Sequence, residues 1–161
     1  MAELEAIGMI EMTSVGIGHL VQDTMLKAAD VRLIMARTIC SGKYIIVVGG
    51  NIAAVEASVA AGLDAAPDGI IDHMSIPQVH GDVFRALGQS VQLTNLDAKP
   101  SIGIVETFPS ASALAAADIA AKAADVQLYR IHVAMALGGK GFLMMAGDVA
   151  ACRAAVDAAA E

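Results

Sequence analysis

"DTMLKAADVRL", Asp23–Leu33, returns as "DIAAKAADVQL", Asp118–Leu128, 95 residues further on. A match of that length is not an accident of Ala-rich composition, so the chain contains one unit twice. The repeat extends outward on both sides. "IGMIE" at Ile7–Glu11 returns as "IGIVE" at Ile102–Glu106 with the same spacing of 95. "GKYIIVVGGNIAAVEASVAA", from Gly42, returns as "GKGFLMMAGDVAACRAAVDA", from Gly139, with a spacing of 97. The second copy therefore has two extra residues, and they fall opposite Cys40–Ser41.

Both copies read alike. Ala6–Met12 and Ser101–Thr107 are apolar runs with a central Gly and predict first strands. Ser14 and Ser110 stand where helix caps are needed, for helices running to about Ala29 and Ala124. Val31–Ile39 and Val126–Ala134 predict second strands. Lys43–Gly49 and Lys140–Ala146 predict third strands, each entered through a Gly-Lys turn. Asn51 and Asp148 are good caps for the Ala-rich helices that follow. In the first copy Gly69–Ile76 adds a fourth strand and His80–Leu87 a short helix. The order β-α-β-β-α-β predicts an α/β chain of two tandem ferredoxin-like domains, each an antiparallel sheet flanked by helices. The polar "GQSVQLTNLDAKP", Gly88–Pro100, reads as a linker. The expected division is a first domain over 1–90, a linker over 91–100 and a second domain over 101–161. Glu161 aligns with Asp64, so nothing in the second copy corresponds to Asp68–Leu87. Either the sequence is cut short there or the last strand and helix are absent from this copy; an open strand edge would then be left, covered by a partner or by the linker.

Composition narrows the function. Hydrophobic residues make up 57 % of the 161, but aromatics only 3 %, and Trp is absent. Small apolar side chains bury little area each, at roughly 25 cal/mol per Å², so such a chain gains by packing against copies of itself. Mean hydropathy is +0.64, yet Asp, Glu, Lys or Arg interrupts every long apolar run, which argues against a membrane span. The acidic start "MAELEAIGMIE" lacks the pattern of a secretory signal. A net charge of −7 argues against nucleic-acid binding. Two cysteines do not make a disulfide scaffold. Cys152, in "AACRAAVD", reads as a core residue. Cys40 stands in a Ser-Gly turn leading into an apolar strand, which is a more exposed place for a thiol.

Together, "IGMIE", the two "KAADV" segments, the two "GK" strands with their Ala-rich helices, and "IPQVH" at Ile76–His80 resemble the bacterial microcompartment shell family. Two copies in one chain resemble its tandem-domain, trimer-forming class. "RTICSGK" in the first copy with "HVAMALGGK" in the second is most similar to the iron–sulfur-containing trimeric shell proteins of propanediol-utilisation microcompartments. The resemblance implies a structural protein rather than an enzyme. Three chains would form a pseudo-hexameric tile with a central pore, joined edge to edge with other shell proteins in the cytoplasm. It implies pore-lining roles for Thr38, Ser41, Gly42, Met135, Leu137, Gly138 and Gly139. It implies tile-edge roles for Lys27, Lys122 and His80, although the Arg of the family's I-P-R-P-H motif is absent here. It also implies Cys40 as the ligand of a 4Fe–4S cluster, one per trimer, serving electron transfer across the shell to encapsulated redox enzymes.

Symmetry explains how one cysteine per chain would suffice. A closed homotrimer brings the same residue of each chain to one axis. If the turn before the third strand lines that axis, three Cys40 thiolates meet there. A cubane cluster has a matching three-fold axis, and its fourth iron would lack a cysteine. The second copy offers only the thioether of Met135 at this place.

Other readings stay open. Three thiols also suit zinc with a fourth ligand, or a redox-sensitive gate. Gly42, Gly138 and Gly139 serve turn geometry or present N–H groups to an anion, and Lys43 and Lys140 either draw anionic metabolites or are merely solvated. A plain or gated metabolite pore without a cluster, and a soluble trimeric ligand-binding regulator, are the alternatives. Glu11 and Glu106 read as structural. The histidines His19, His73, His80 and His132 have no ligand spacing. No phosphate loop or catalytic triad motif appears.

Overall fold

The first repeat is built on a strand buried along its whole length. β1 (Ala6–Met12) is followed by α1 (Val15–Ala28), β2 (Arg32–Ile39), a tight turn at Cys40–Gly42, β3 (Lys43–Gly50), α2 (Ile52–Ala65) and β4 (Ile70–Ile76). The strands form one antiparallel sheet in the order β2-β3-β1-β4, the ferredoxin-like order expected of β-α-β-β-α-β. The computed structural model describes residues 4–88, 100–108, 111–135 and 137–161. They fall into two compact units, Met1–Val79 and His80–Glu161.

Strand periodicity decides which side chains meet the helices. Ala6, Ile10 and Met12 of β1 share a face with Tyr44, Ile46 and Val48 of β3. This face packs on Val21 and Met25 of α1 and on Val55 and Val59 of α2. Ile7, Met9, Ile45 and Val47, on the other face, are fully buried too, so β1 and β3 carry apolar residues on both sides. Ser58 of α2 donates to the carbonyl of Met25 at 3.0 Å, tying the two helices together. Gly18 of α1 lies against Tyr44 so closely that a Cβ there would stand 2.6 Å from the ring. The Tyr44 hydroxyl in turn donates to Gln22 at 2.8 Å, and burial raises its pKa.

Asn51 caps α2, accepting the N–H of Ala54 at 2.8 Å, and Asp148 caps its counterpart through Ala151 at 2.7 Å. Ser14 occupies the cap position of α1, but its side chain makes no capping hydrogen bond. The predicted cap at Ser110 and the linker over 91–99 lie outside the described residues.

The second unit holds α3 (Gly81–Leu87), β5 (Ser101–Thr107), α4 (Ser112–Ala123), β6 (Gln127–Val133), β7 (Gly141–Gly147) and α5 (Val149–Ala160). Its sheet has the order β5-β7-β6, again antiparallel. Among the described residues β5 pairs with β7 alone. By its place in the sequence, His80–Leu87 belongs to the first copy. In space α3 packs on β6 and α4, within the second unit. Its start is held by Asp118 of α4, which accepts the His80 N–H at 2.7 Å.

Candidate functional site

The turn that carries Cys40 is the end of a hairpin. β2 and β3 stay paired to their last residues, Thr38 with Tyr44 and Ile39 with Lys43. Cys40, Ser41 and Gly42 must then reverse the chain in three residues. Ser41 (φ 65°) and Gly42 (φ 74°) do so in the left-handed region. Gly suits this conformation and Ser tolerates it at a cost. Ile39 is buried, Cys40 half-buried, and Thr38, Ser41 and Gly42 are exposed. The predicted pore-lining residues of the first copy thus cluster at one sheet end, with the thiol at the base of the exposed tip.

Directly after the turn, Lys43 Nζ lies 2.9 Å from Glu11 Oε1. Glu11 is 1 % exposed, so its carboxylate depends on charged partners for its solvation. Sheet registers place Arg37, Ile45, Glu11 and Asp72 in one cross-strand row on the same face. Charged residues thus concentrate in the sheet beside the Cys40 turn. Glu106, the counterpart of Glu11, is exposed. The sequence signal for this difference is slight: both copies show an acid in an apolar strand and a Lys after the turn.

The corresponding loop of the second copy, between Val133 and Gly141, is longer. Ala134 (φ 46°), Gly138 (φ 62°) and Gly139 (φ 94°) are left-handed. Met135, Leu137 and Gly138 are exposed and Gly139 is half-buried. His132, at the end of β6, hydrogen-bonds through Nε2 to the Met135 carbonyl at 2.7 Å. Its ring stacks on Phe142 at 5.1 Å between centroids. This histidine is buried and braces the loop, a role that sequence spacing did not disclose.

The tile-edge candidates differ between copies. Lys27 pairs with Asp23 at 2.6 Å, and both are well exposed. Lys122 pairs with Asp118 at the same distance, but that carboxylate is buried and also holds the His80 N–H. The His80 ring caps α3, its Nδ1 accepting the Asp82 N–H at 3.3 Å.

The thiols differ as well. Cys152 is buried against β5, its Sγ 3.5 Å from the Ser101 carbonyl. Neither cysteine is in a disulfide. Among the described residues no three His, Cys, Asp or Glu side chains gather in a metal-binding group. A cluster at Cys40 must therefore draw its ligands from several chains. A single thiol near the tip of an exposed hairpin fits that demand, because rotation can bring it to its own copies without displacing a core.

The BMC domain family matches residues 6–79 and 101–161, one match per repeat. The chain belongs to the bacterial microcompartment shell family. It is a tandem BMC-domain shell protein, 40 % identical over 157 residues to the bacterial microcompartment shell protein PduT of Citrobacter freundii. That match covers 98 % of this chain and 84 % of the relative. The major carboxysome shell protein of Halothiobacillus neapolitanus is 36 % identical over 90 residues, spanning 54 % of this chain and 92 % of the relative. The crystal structure of a microcompartment protein from Desulfitobacterium hafniense superposes with a TM-score of 0.90 at 41 % identity, covering 98 % of this chain and 86 % of that one. A fused permuted hexameric shell protein of the RMM microcompartment shares the fold, with a TM-score of 0.70 at 24 % identity, covering 97 % and 79 %. Among the described residues of this shell protein, no helix is long and apolar enough to cross a membrane.

Proposed function

We propose that this shell protein closes as a homotrimer, a pseudo-hexameric tile, and that three Cys40 thiolates at its pore hold a 4Fe–4S cluster. The observation that supports this reading is the hairpin tip itself. It offers one half-buried thiol, set by two left-handed residues, beside a cross-strand row of charged groups. A cluster bound there would supply one-electron chemistry at the shell, for redox enzymes enclosed by it. The chain's own residues do the positioning. Ser41 and Gly42 set the direction in which Cys40 projects, and the Lys43–Glu11 pair ties the strand that follows the turn to β1. Met135, Leu137, Gly138 and Gly139 would line alternate positions of the rim without a thiolate. Lys27 and Lys122, with His80 near the second, would face neighbouring shell proteins along the tile edges in the cytoplasmic assembly.

The test is anaerobic purification followed by iron and sulfide assays and electron paramagnetic resonance of the reduced protein. About four irons per trimer, lost in Cys40→Ser with the trimer intact, is the expected result, since a cubane holds four irons. An iron-free anaerobic trimer would remove the cluster and leave the tile. A monomer or dimer would remove both.

A second reading is a metabolite pore without a cluster. It is favoured by the exposed, polar tip of Thr38, Ser41 and Gly42. Transport through reconstituted shells separates the two, because a plain pore conducts equally well in Cys40→Ser and in the iron-free protein.

A further inference from the structure

His132 is a buried titratable side chain outside the Cys40 turn. It is 9 % exposed and stands next to the last residue of β6. Its Nε2 lies 2.7 Å from the Met135 carbonyl. A carbonyl oxygen can only accept, so Nε2 carries the hydrogen and Nδ1 is the bare nitrogen of a neutral ring. Nδ1 is buried as well, and among the described residues it has no hydrogen-bond partner. The loop that follows depends on this ring. Ala134 is held in a left-handed conformation (φ 46°), which is costly for a residue with a Cβ. Met135 and Leu137 beyond it are exposed, so packing secures them little. The Lys140 N–H donates to the Leu137 carbonyl at 3.2 Å and closes the far end of the loop. The near end is closed by the imidazole, which is itself fixed by stacking on Phe142.

A proton on Nδ1 upsets this arrangement. It creates a positive charge and a second N–H, both buried, with no acceptor for that N–H. The charged groups around β6 do not compensate. Arg130, two residues back on the same strand, sets its guanidinium 5.6 Å from the centroid of the Phe142 ring and adds repulsion. β7 carries no charged residue. β6 also packs on α3 and α4, whose acids are already engaged, Asp82 with Arg85 and Asp118 with Lys122. Glu106 shares the cross-strand row of His132 and Phe142 but stands two strands away, about 10 Å, and is exposed to screening water.

We infer that His132 is a proton-sensitive latch on this loop: the neutral ring holds the Met135 carbonyl, and protonation at Nδ1 turns the ring out of its site and releases the loop. The released form takes up the proton more readily, so a falling pH favours it. The repeat confines the latch to the second copy. At the spacing of 95 the counterpart of His132 is Arg37, which stays charged at any physiological pH. The latch belongs to the chain in any oligomeric state. Only its use, freeing alternate positions of a pore rim as pH falls, rests on the reading above, so either can fail without the other.

The chain contains no Trp, so Leu137→Trp in the whole chain reports on the loop alone. Its fluorescence anisotropy decay is followed from about pH 8 to about pH 5.5, the range in which an imidazole changes charge. The ratio of mobile to held indole is expected to rise about fivefold toward the acid end, the worth of one lost hydrogen bond. In the same chain His132→Gln sets an amide N–H near the place of Nε2 without a titrating group, and is expected to hold the loop throughout. His132→Phe is expected to leave it mobile throughout. An unchanged ratio across the range overturns the inference. So does a pH response that survives in His132→Gln, because it then belongs to another group such as His80. Imidazole nitrogen chemical shifts in the unsubstituted chain give a second reading that needs no variant at His132. Protonation of that ring must coincide with release of the loop, and a protonated ring with the loop still held overturns the latch.

Discussion

Lys43 and Glu11 meet across the sheet, ammonium to carboxylate at 2.9 Å, and Glu11 is almost wholly withdrawn from water. Lys43 is the first residue of β3 and follows the turn that carries Cys40. The pair therefore ties that end of the hairpin to β1. A buried carboxylate that loses a charged partner keeps its desolvation cost without the compensating attraction.

Lys43→Met is expected to destabilise the first unit by about 2–4 kcal/mol, because it leaves that carboxylate under-compensated. Adding Glu11→Gln in the same chain is expected to restore a good part of the loss. Urea unfolding of the single and double variants measures both, and additive losses would show that the two groups are not coupled.

Ser41 bears a side chain in a left-handed conformation that Gly adopts freely. Ser41→Gly is expected to raise stability by up to about 1 kcal/mol, and Gly42→Val to lower it by about 1–2 kcal/mol. Space is not the cause at Gly42, since a Cβ there meets nothing within 4 Å. Thermal unfolding of both variants checks the assignment to backbone conformation.

Asp23 and Asp118 look interchangeable in the repeat but are held differently. Asp23→Ala removes an exposed ion pair and is expected to cost no more than about 0.5 kcal/mol. Asp118→Ala strips the half-buried His80 N–H of its acceptor and is expected to cost roughly 1–3 kcal/mol. Hydrogen exchange at the start of α3 should accelerate in Asp118→Ala and stay unchanged in Asp23→Ala.

Tyr44 shapes the alkaline limb of stability. Its hydroxyl is buried, so the folded chain holds the proton above the usual value of 10.0 while the unfolded chain releases it there. Ionisation thus favours unfolding, and the contribution of Tyr44 is complete below about pH 10 and lost as pH rises further. Tyr129 acts in the same direction, raised by burial and partly offset by Arg130. Tyr44→Phe is expected to make the decline above pH 10 shallower, in unfolding curves taken at stepped pH.

The repeat in the sequence sufficed for most of the local structure. β1 and β5 have the bounds that their apolar runs predict, and Asn51 and Asp148 cap the helices they precede. These features rest on spacing and on groups a few residues apart, which one copy displays as well as the other. Burial was a different matter. Glu11 and Glu106, and Asp23 and Asp118, occupy matching places in the repeat, yet in each pair one side chain is buried and the other exposed. In the helix pair, α3 packs within the second unit and its His80 N–H meets Asp118 from 38 residues away. Periodicity records which face a side chain takes, whereas the segment that comes to cover that face is chosen by packing between distant parts of the chain, and only the tertiary structure decided it.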